Sequence, residues 1–167
     1  MASLASHASH AQADAALTGR WLALFPLFYL VHIGEEYLGG FPERTAELTG
    51  LPVTPQAFLA ANALLLLVMA GAVSWSGLRG GPGWIAVALA TIVLVNTALH
   101  LAGAMLTGSY SPGLTSGLLL WAPLGCLVLM RARQKLWPVV VRRGVLAGIA
   151  VHLLVPVVGM LFVLLLA

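Results

Sequence analysis

The sequence predicts an all-α fold, a polytopic membrane helical bundle of about five transmembrane helices, and three observations carry that prediction. Of the 167 residues, 60% are hydrophobic and only 8% charged, against about 25% charged in soluble domains. Mean hydropathy is +1.00. Continuous apolar runs, each able to cross a hydrocarbon core of about 30 Å with about 20 helical residues, fall at 21–38, 56–78, 84–106, 114–130 and 145–167. Alternation with a period of two is absent, which argues against a barrel and for helices that satisfy their backbone within each span. One transmembrane domain over 21–167 leaves no length for a soluble one.

Residues 1–20, rich in Ala and Ser with His7, His10 and Asp14, lack a positive region followed by an apolar core and do not read as a signal peptide. They are expected as a flexible cytoplasmic tail. The first span ends at Gly39 and Gly40. The stretch "GGFPERTAELTGLPVTP" then holds Glu43, Arg44 and Glu47 and can fold back as a lid. Arg44 has two readings, a contact to an anionic headgroup or substrate and a solvated loop arginine; a surface pairing with Glu43 or Glu47 would add little.

After the third span, "TGSYSPGLTS" places Pro112 and Gly113 at the central positions of a type II turn. That turn aims Tyr110 and Ser111 at the mouth of the bundle, Tyr110 as a hydrogen-bond donor to substrate or glutamate, or as an interfacial anchor. Pro123 and Pro156 are placed to kink the last two helices. Gly144 and Gly148 form a small-xxx-small pair, open to a homodimer or, more simply, to packing within one chain. The single cysteine, Cys126, excludes an intramolecular disulfide and a CxxC knuckle.

Five of the eight Lys/Arg residues, Arg131, Arg133, Lys135, Arg142 and Arg143, lie between the fourth and fifth spans, so the positive-inside rule makes this loop cytoplasmic. Arg20 and Arg79 fall on the same side and Arg44 on the other. The expectation is an integral protein of a bacterial-type plasma membrane, N-terminus cytoplasmic and C-terminus outside. The pI near 9.6 then reflects one membrane surface, not a nucleic-acid-binding face.

Within this apolar chain, "VHIGEEYLGGF" puts Glu35 and Glu36 one turn beyond His32. At about 1.5 Å per residue from Trp21, His32 lies about 17 Å up the first helix and the two glutamates at about 21 and 23 Å. Counted from Trp84, Asn96 lies at about 18 Å and His100 at about 24 Å. The two polar groups share one depth, in the outer half of the bilayer. Glu35 and Glu36 fall about 60° and 40° to either side of His32, and His100 about 40° from Asn96. Neither stripe is tolerable against lipid, so the first and third helices are expected to face each other.

An intramembrane carboxylate costs about 2.5–3.5 kcal/mol on insertion scales, so the pair needs a metal, a shared proton or a cationic partner. In the metal reading His32, Glu36 and His100 form the His₂Glu set of catalytic zinc sites with an open water position, and Glu35 is the general base. Asn96 orients the site or polarises an oxygen. His152, at about 12 Å counted from Gly144, is a weaker ligand candidate with helix packing as its alternative. A di-iron site is disfavoured because bundle di-iron proteins use four carboxylates. In the metal-free reading Glu35 and Glu36 share a proton and serve an isomerase or cyclase of an isoprenoid- or sterol-like lipid. Proton-coupled transport uses the same chemistry, a lipid-binding scaffold is a further alternative, and a purely structural role for either histidine is an interhelical hydrogen bond.

Three short motifs stand in order over most of the chain: His32–Glu35–Glu36, "NTALH" with Asn96 and His100, and "YSPG" at 110–113. In these the sequence resembles the uncharacterised integral membrane proteins named for their HXXEE motif. The resemblance implies a multi-span protein suspected of enzymatic activity and raises the weight of Tyr110, but it supplies positions, not a reaction. A looser likeness to sterol isomerases of the emopamil-binding type rests on architecture alone. The function expected is a metal-dependent membrane hydrolase of a lipid or other apolar substrate. Its expected set is His32, Glu36, His100 and more weakly His152 on a divalent ion such as zinc, Glu35, Asn96 and Tyr110 in catalysis, and Arg44 and Ser111 toward substrate. Membrane lipids are its partners.

Overall fold

The computed structural model describes residue 17 and residues 19–166, all helix, turn and loop. A 3₁₀ turn, Arg20–Ala23, leads into α1, Leu24–Leu38. A short α2, Phe41–Thr49, follows. Then come α3, Pro55–Leu78, α4, Trp84–Thr107, and α5, Leu114–Lys135. The last helix, α6, is Pro138–Leu166. Helices α3 to α6 are long and apolar enough to cross a membrane. The 3₁₀ turn and the 15 residues of α1 together rise about 30 Å, so the first expected run, 21–38, is helical along its whole length.

The helix ends follow local chemistry. Gly40, at φ 78°, takes a left-handed conformation that separates α1 from α2. Thr54 caps α3 by accepting from the Ala57 N–H at 3.1 Å, with Pro55 as the first helical residue. Pro123 lacks an N–H and crowds the preceding turn; the turn Gly117–Trp121 just before it is π-helical, a local widening that absorbs the proline within α5.

Two boundaries differ from the sequence reading. The fourth span extends to Lys135 and the fifth begins at Pro138, so the expected basic loop is almost wholly helix. Long arginine side chains permit this because their stems lie along apolar surface while the charge stays at the interface. Arg143 lies over the Trp84 ring at 4.7 Å, and Arg131 over Trp21 at 5.5 Å. The tail expected over 1–20 falls mostly outside the described residues. Its end is held: Leu17 is fully buried, and the Gly19 N–H donates to the Gly77 carbonyl at 2.9 Å.

Helix α4 is the most enclosed of the four long helices, with α5 and α6 along its flanks. The Gly144/Gly148 pair is used inside the chain. A Cβ on Gly144 would stand 2.7 Å from the Trp84 carbonyl oxygen, and one on Gly148 2.6 Å from that of Ala88. These contacts advance together, so α4 and α6 run parallel in a fixed register. The apolar core gathers around Phe25, Tyr29, Val87, Val93, Trp121 and Val128. It packs the bundle beneath the polar residues of α1 and α4.

Candidate functional site

Helix α1 presents His32 and Glu36 on one face because they are four residues apart; both are buried, at 1% and 6% exposure. Helix α4 brings His100 to the same place, 6% exposed. Both imidazoles turn Nε2 toward a single carboxylate oxygen, Glu36 Oε1, His32 at 3.4 Å and His100 at 3.2 Å. The rings meet edge to face with centroids 5.2 Å apart. One ligand atom from each of the three residues lies within 4.8 Å of the other two.

The opposite ring nitrogens are held by serines. His32 Nδ1 pairs with Ser116 Oγ at 2.8 Å, and His100 Nδ1 with Ser111 Oγ at 3.2 Å. When each Nδ1 donates to its serine, each Nε2 keeps its lone pair for the centre. Trp121 stacks on His32 with centroids 3.9 Å apart, and Tyr29 stacks on Trp121. Phe41, from α2, closes over His100 at 5.8 Å.

The YSPG segment forms the floor. Leu114 N–H donates to the Ser111 carbonyl at 3.0 Å, and Gly113 stands at φ 97°, ψ −13°, the third residue of the type II turn that the sequence predicts. Gly113 has a second reason to be glycine. A Cβ there would lie 2.7 Å from His100 Cε1 and 2.8 Å from His32 Cε1.

Glu35 points elsewhere. About 100° around the helix from Glu36, its carboxylate reaches the start of α5, where Oε1 accepts from the Thr115 N–H at 2.9 Å and Oε2 from the Ser116 N–H at 2.6 Å. The Tyr110 hydroxyl donates to Oε1 as well. Gly113 precedes α5 without a side chain to cap it, so an acid from another helix answers its unpaired N–H groups. Partial desolvation, and then the bond to Glu35, push the Tyr110 phenol above its ordinary pKa, which keeps it a donor at neutral pH.

The remaining sequence-predicted residues lie around this centre without joining it. Asn96 is one turn below His100, and its Oδ1 is buried with no partner. His152 is likewise buried at Nδ1 and unpartnered there. Although α6 starts seven residues earlier than expected, it starts deeper: Gly148 sits against Ala88 and Thr91, so His152 falls level with Ile92–Val95, about 10 Å below His100. It stays outside the three-residue group. Arg44 is not a solvated loop residue: its guanidinium donates to the Tyr110 carbonyl at 2.5 Å, Thr107 Oγ1 at 2.9 Å and Ser109 Oγ at 2.6 Å. It ties the lid segment, here the helix α2, to the loop after α4.

Sequence reasoning missed Ser116, Thr115, Trp121, Tyr29 and Asn62. Tyr29 could have been found, since it lies one turn before His32 on the same face; its hydroxyl donates to Asn62 Oδ1 at 2.7 Å. Ser116 gives no signal in sequence, because only the turn at 111–114 swings it under His32.

The donor set suits a divalent ion. Two nitrogens and an oxygen at about 2.0–2.1 Å from a tetrahedral ion stand about 3.3 Å from one another; both Nε2 atoms lie near that distance from Glu36 Oε1, and all three ligand atoms lie within 4.8 Å of one another. His32 Nε2 is buried and has no hydrogen-bond partner among the described residues, an orphaned nitrogen whose lone pair a cation could take up.

The family description "Protein of unknown function with HXXEE motif" matches residues 23–128, well over half of the chain and every candidate site residue except His152. No curated protein and no solved structure matches the sequence. The chain belongs to the HXXEE family.

Proposed function

We propose that this protein is a membrane-embedded, metal-dependent hydrolase of a lipid or other apolar substrate. One observation carries the reading: His32, Glu36 and His100 bring three ligand atoms within 4.8 Å of one another in a buried site, with both Nδ1 atoms held by serines. Two imidazoles and one carboxylate are the protein ligands of catalytic zinc sites that keep a fourth position open. A divalent ion there would acidify a water and polarise an ester or amide carbonyl.

The chain's own residues divide the remaining work. Ser111 and Ser116 fix the imidazole orientation. Glu35 is a positioning residue in place of the base expected of it, because three hydrogen bonds turn its carboxylate toward α5 and away from the centre. The acceptor for a water proton is Glu36 Oε2, which no described residue bonds. Trp121, Tyr29 and Phe41 exclude bulk water from the centre. The orientation proposed puts the basic ends of α5 and α6 in the cytoplasm and the site in the outer half of the bilayer.

A second reading rests on a specific distance: His100 Nε2 lies 3.2 Å from Glu36 Oε1, so the three residues also cohere as a proton-sharing set without an ion, as a metal-free isomerase would need. Elemental analysis of the purified protein separates the two. The hydrolase reading expects one divalent ion per chain, lost in His32→Ala and in His100→Ala, and cleavage of long-chain esters abolished with it. Metal-free protein that still turns over a lipid would leave only the proton-transfer reading.

A further inference from the structure

Beside the His/Glu centre a cavity of about 100 Å³ opens between α2 and the end of α4. Phe41, Arg44 and Leu48 form one wall, and Gly103, Thr107 and Ser111 the other. Arg44 is the only cation on this side of the bundle among the described residues, and no carboxylate there lies within ion-pair distance of it. Its three bonds go to neutral oxygens. Of five guanidinium N–H donors, Nε–H and one on Nη1 remain, beside the hydroxyls of Thr107 and Ser111. Glu43 and Glu47 are exposed on α2 and neither pairs with Arg44.

We propose that this cavity is the headgroup site for an anionic amphiphile. A charge held by neutral acceptors keeps its attraction for an anion, and a partly desolvated guanidinium with free donors takes a phosphate or carboxylate in preference to a neutral head. The volume holds a head and its first carbons, not a chain. The chain leaves over apolar surface: Leu48 is 72% exposed, and Met105 and Leu106 on the same turn of α4 are 76% and 87% exposed. The site is coupled to the centre through two residues, since Ser111 holds His100 Nδ1 and Phe41 packs on the His100 ring. That the amphiphile bound here is the substrate rests on the hydrolase reading; that it binds here does not.

The test is calorimetric titration of the purified full chain in dodecyl maltoside with dodecyl phosphate, dodecylphosphocholine and inorganic phosphate. Dodecyl phosphate should bind saturably, one per chain, and at least about tenfold tighter than the other two. Arg44→Gln should weaken it about tenfold or more, and Arg44→Lys, which keeps the charge without the spare donors, should weaken it less than Arg44→Gln. Because Arg44 also ties two segments together, Leu48→Glu serves as the second variant. It adds a negative charge at the exposed rim, leaves the ties intact, and should weaken dodecyl phosphate by a similar factor with an unchanged melting temperature. Equal binding by Arg44→Gln, no effect of Leu48→Glu, or inorganic phosphate binding as tightly as dodecyl phosphate would each overturn the proposal. Metal content measured on the same samples keeps the two readings apart. Anion preference without an ion removes only the hydrolase, and an ion without anion preference removes only this site.

Discussion

Replacing Gly113 with alanine tests the floor of the centre directly. At φ 97° a Cβ meets its own backbone at a cost of about 1–2 kcal/mol. It also lands 2.7 Å from His100 Cε1, 2.8 Å from His32 Cε1 and 2.9 Å from His100 Nε2. Relief to ordinary contact requires both rings to retreat by about 0.7 Å, against ligand distances that tolerate about 0.2 Å. Trp121 backs His32 and Phe41 backs His100, so neither ring has free space behind it, and overpacking adds about 1–3 kcal/mol. The sum, about 2–5 kcal/mol, lowers the melting temperature by roughly 5–20 °C at about 2–4 °C per kcal/mol. On the hydrolase reading, metal affinity should fall by about 10–100-fold, as when a group that orients a ligand is lost. Gly108→Ala is the matched control: it also sits at positive φ, 62°, but a Cβ there meets nothing within 4 Å, so it should melt a few degrees lower and keep its metal. The assay is intrinsic tryptophan fluorescence on heating, with elemental analysis of the same preparations. If Gly113→Ala keeps full metal content and melts with the Gly108→Ala control, the placement of this turn against the imidazoles is wrong.

Glu35→Gln and Glu36→Gln should part company. The first removes a charged acceptor from the start of α5 and costs about 1–3 kcal/mol; on the hydrolase reading it keeps the metal that the second loses, and equal metal contents would break the division of roles between these neighbours. Tyr110→Phe removes the donor to Glu35 and should cost about 0.5–1.5 kcal/mol with metal unchanged. Because the phenol's pKa is raised in the folded protein, that bond is fully present below the ordinary tyrosine pKa of about 10 and is lost as pH rises through the higher folded value. The melting difference from the natural protein should therefore be flat from about pH 6 to 9 and shrink above about pH 10, and a difference that grows with pH would contradict the donor assignment. Gly148→Leu should drive α6 off α4, since even a Cβ would lie 2.6 Å from the Ala88 carbonyl oxygen and from Thr91 Cβ; a loss of about 1–3 kcal/mol or more is expected in thermal melts, and an undisturbed melt would put the α4–α6 register in error.

Hydropathy and rise per residue were enough to predict the helical class and the common depth of His32, Glu36 and His100, because a membrane fixes span length and a helix fixes height along it. Helical periodicity also limited which residues could meet: four residues apart puts His32 and Glu36 on one face, and the YSPG pattern specified its turn by Pro and Gly geometry alone. Sequence could not divide the labour between Glu35 and Glu36. They are adjacent and alike, and only the neighbours differ, two imidazoles for one and the uncapped start of α5 for the other. Nor could it place Arg44 or Ser116, whose partners lie 63 or more residues away and are chosen by how α2 and the 108–113 loop fold against each other. The height of His152 likewise depended on where α6 packs along α4. Local interactions are written in spacing and composition, whereas contacts between distant segments depend on packing, which one chain read in order does not display.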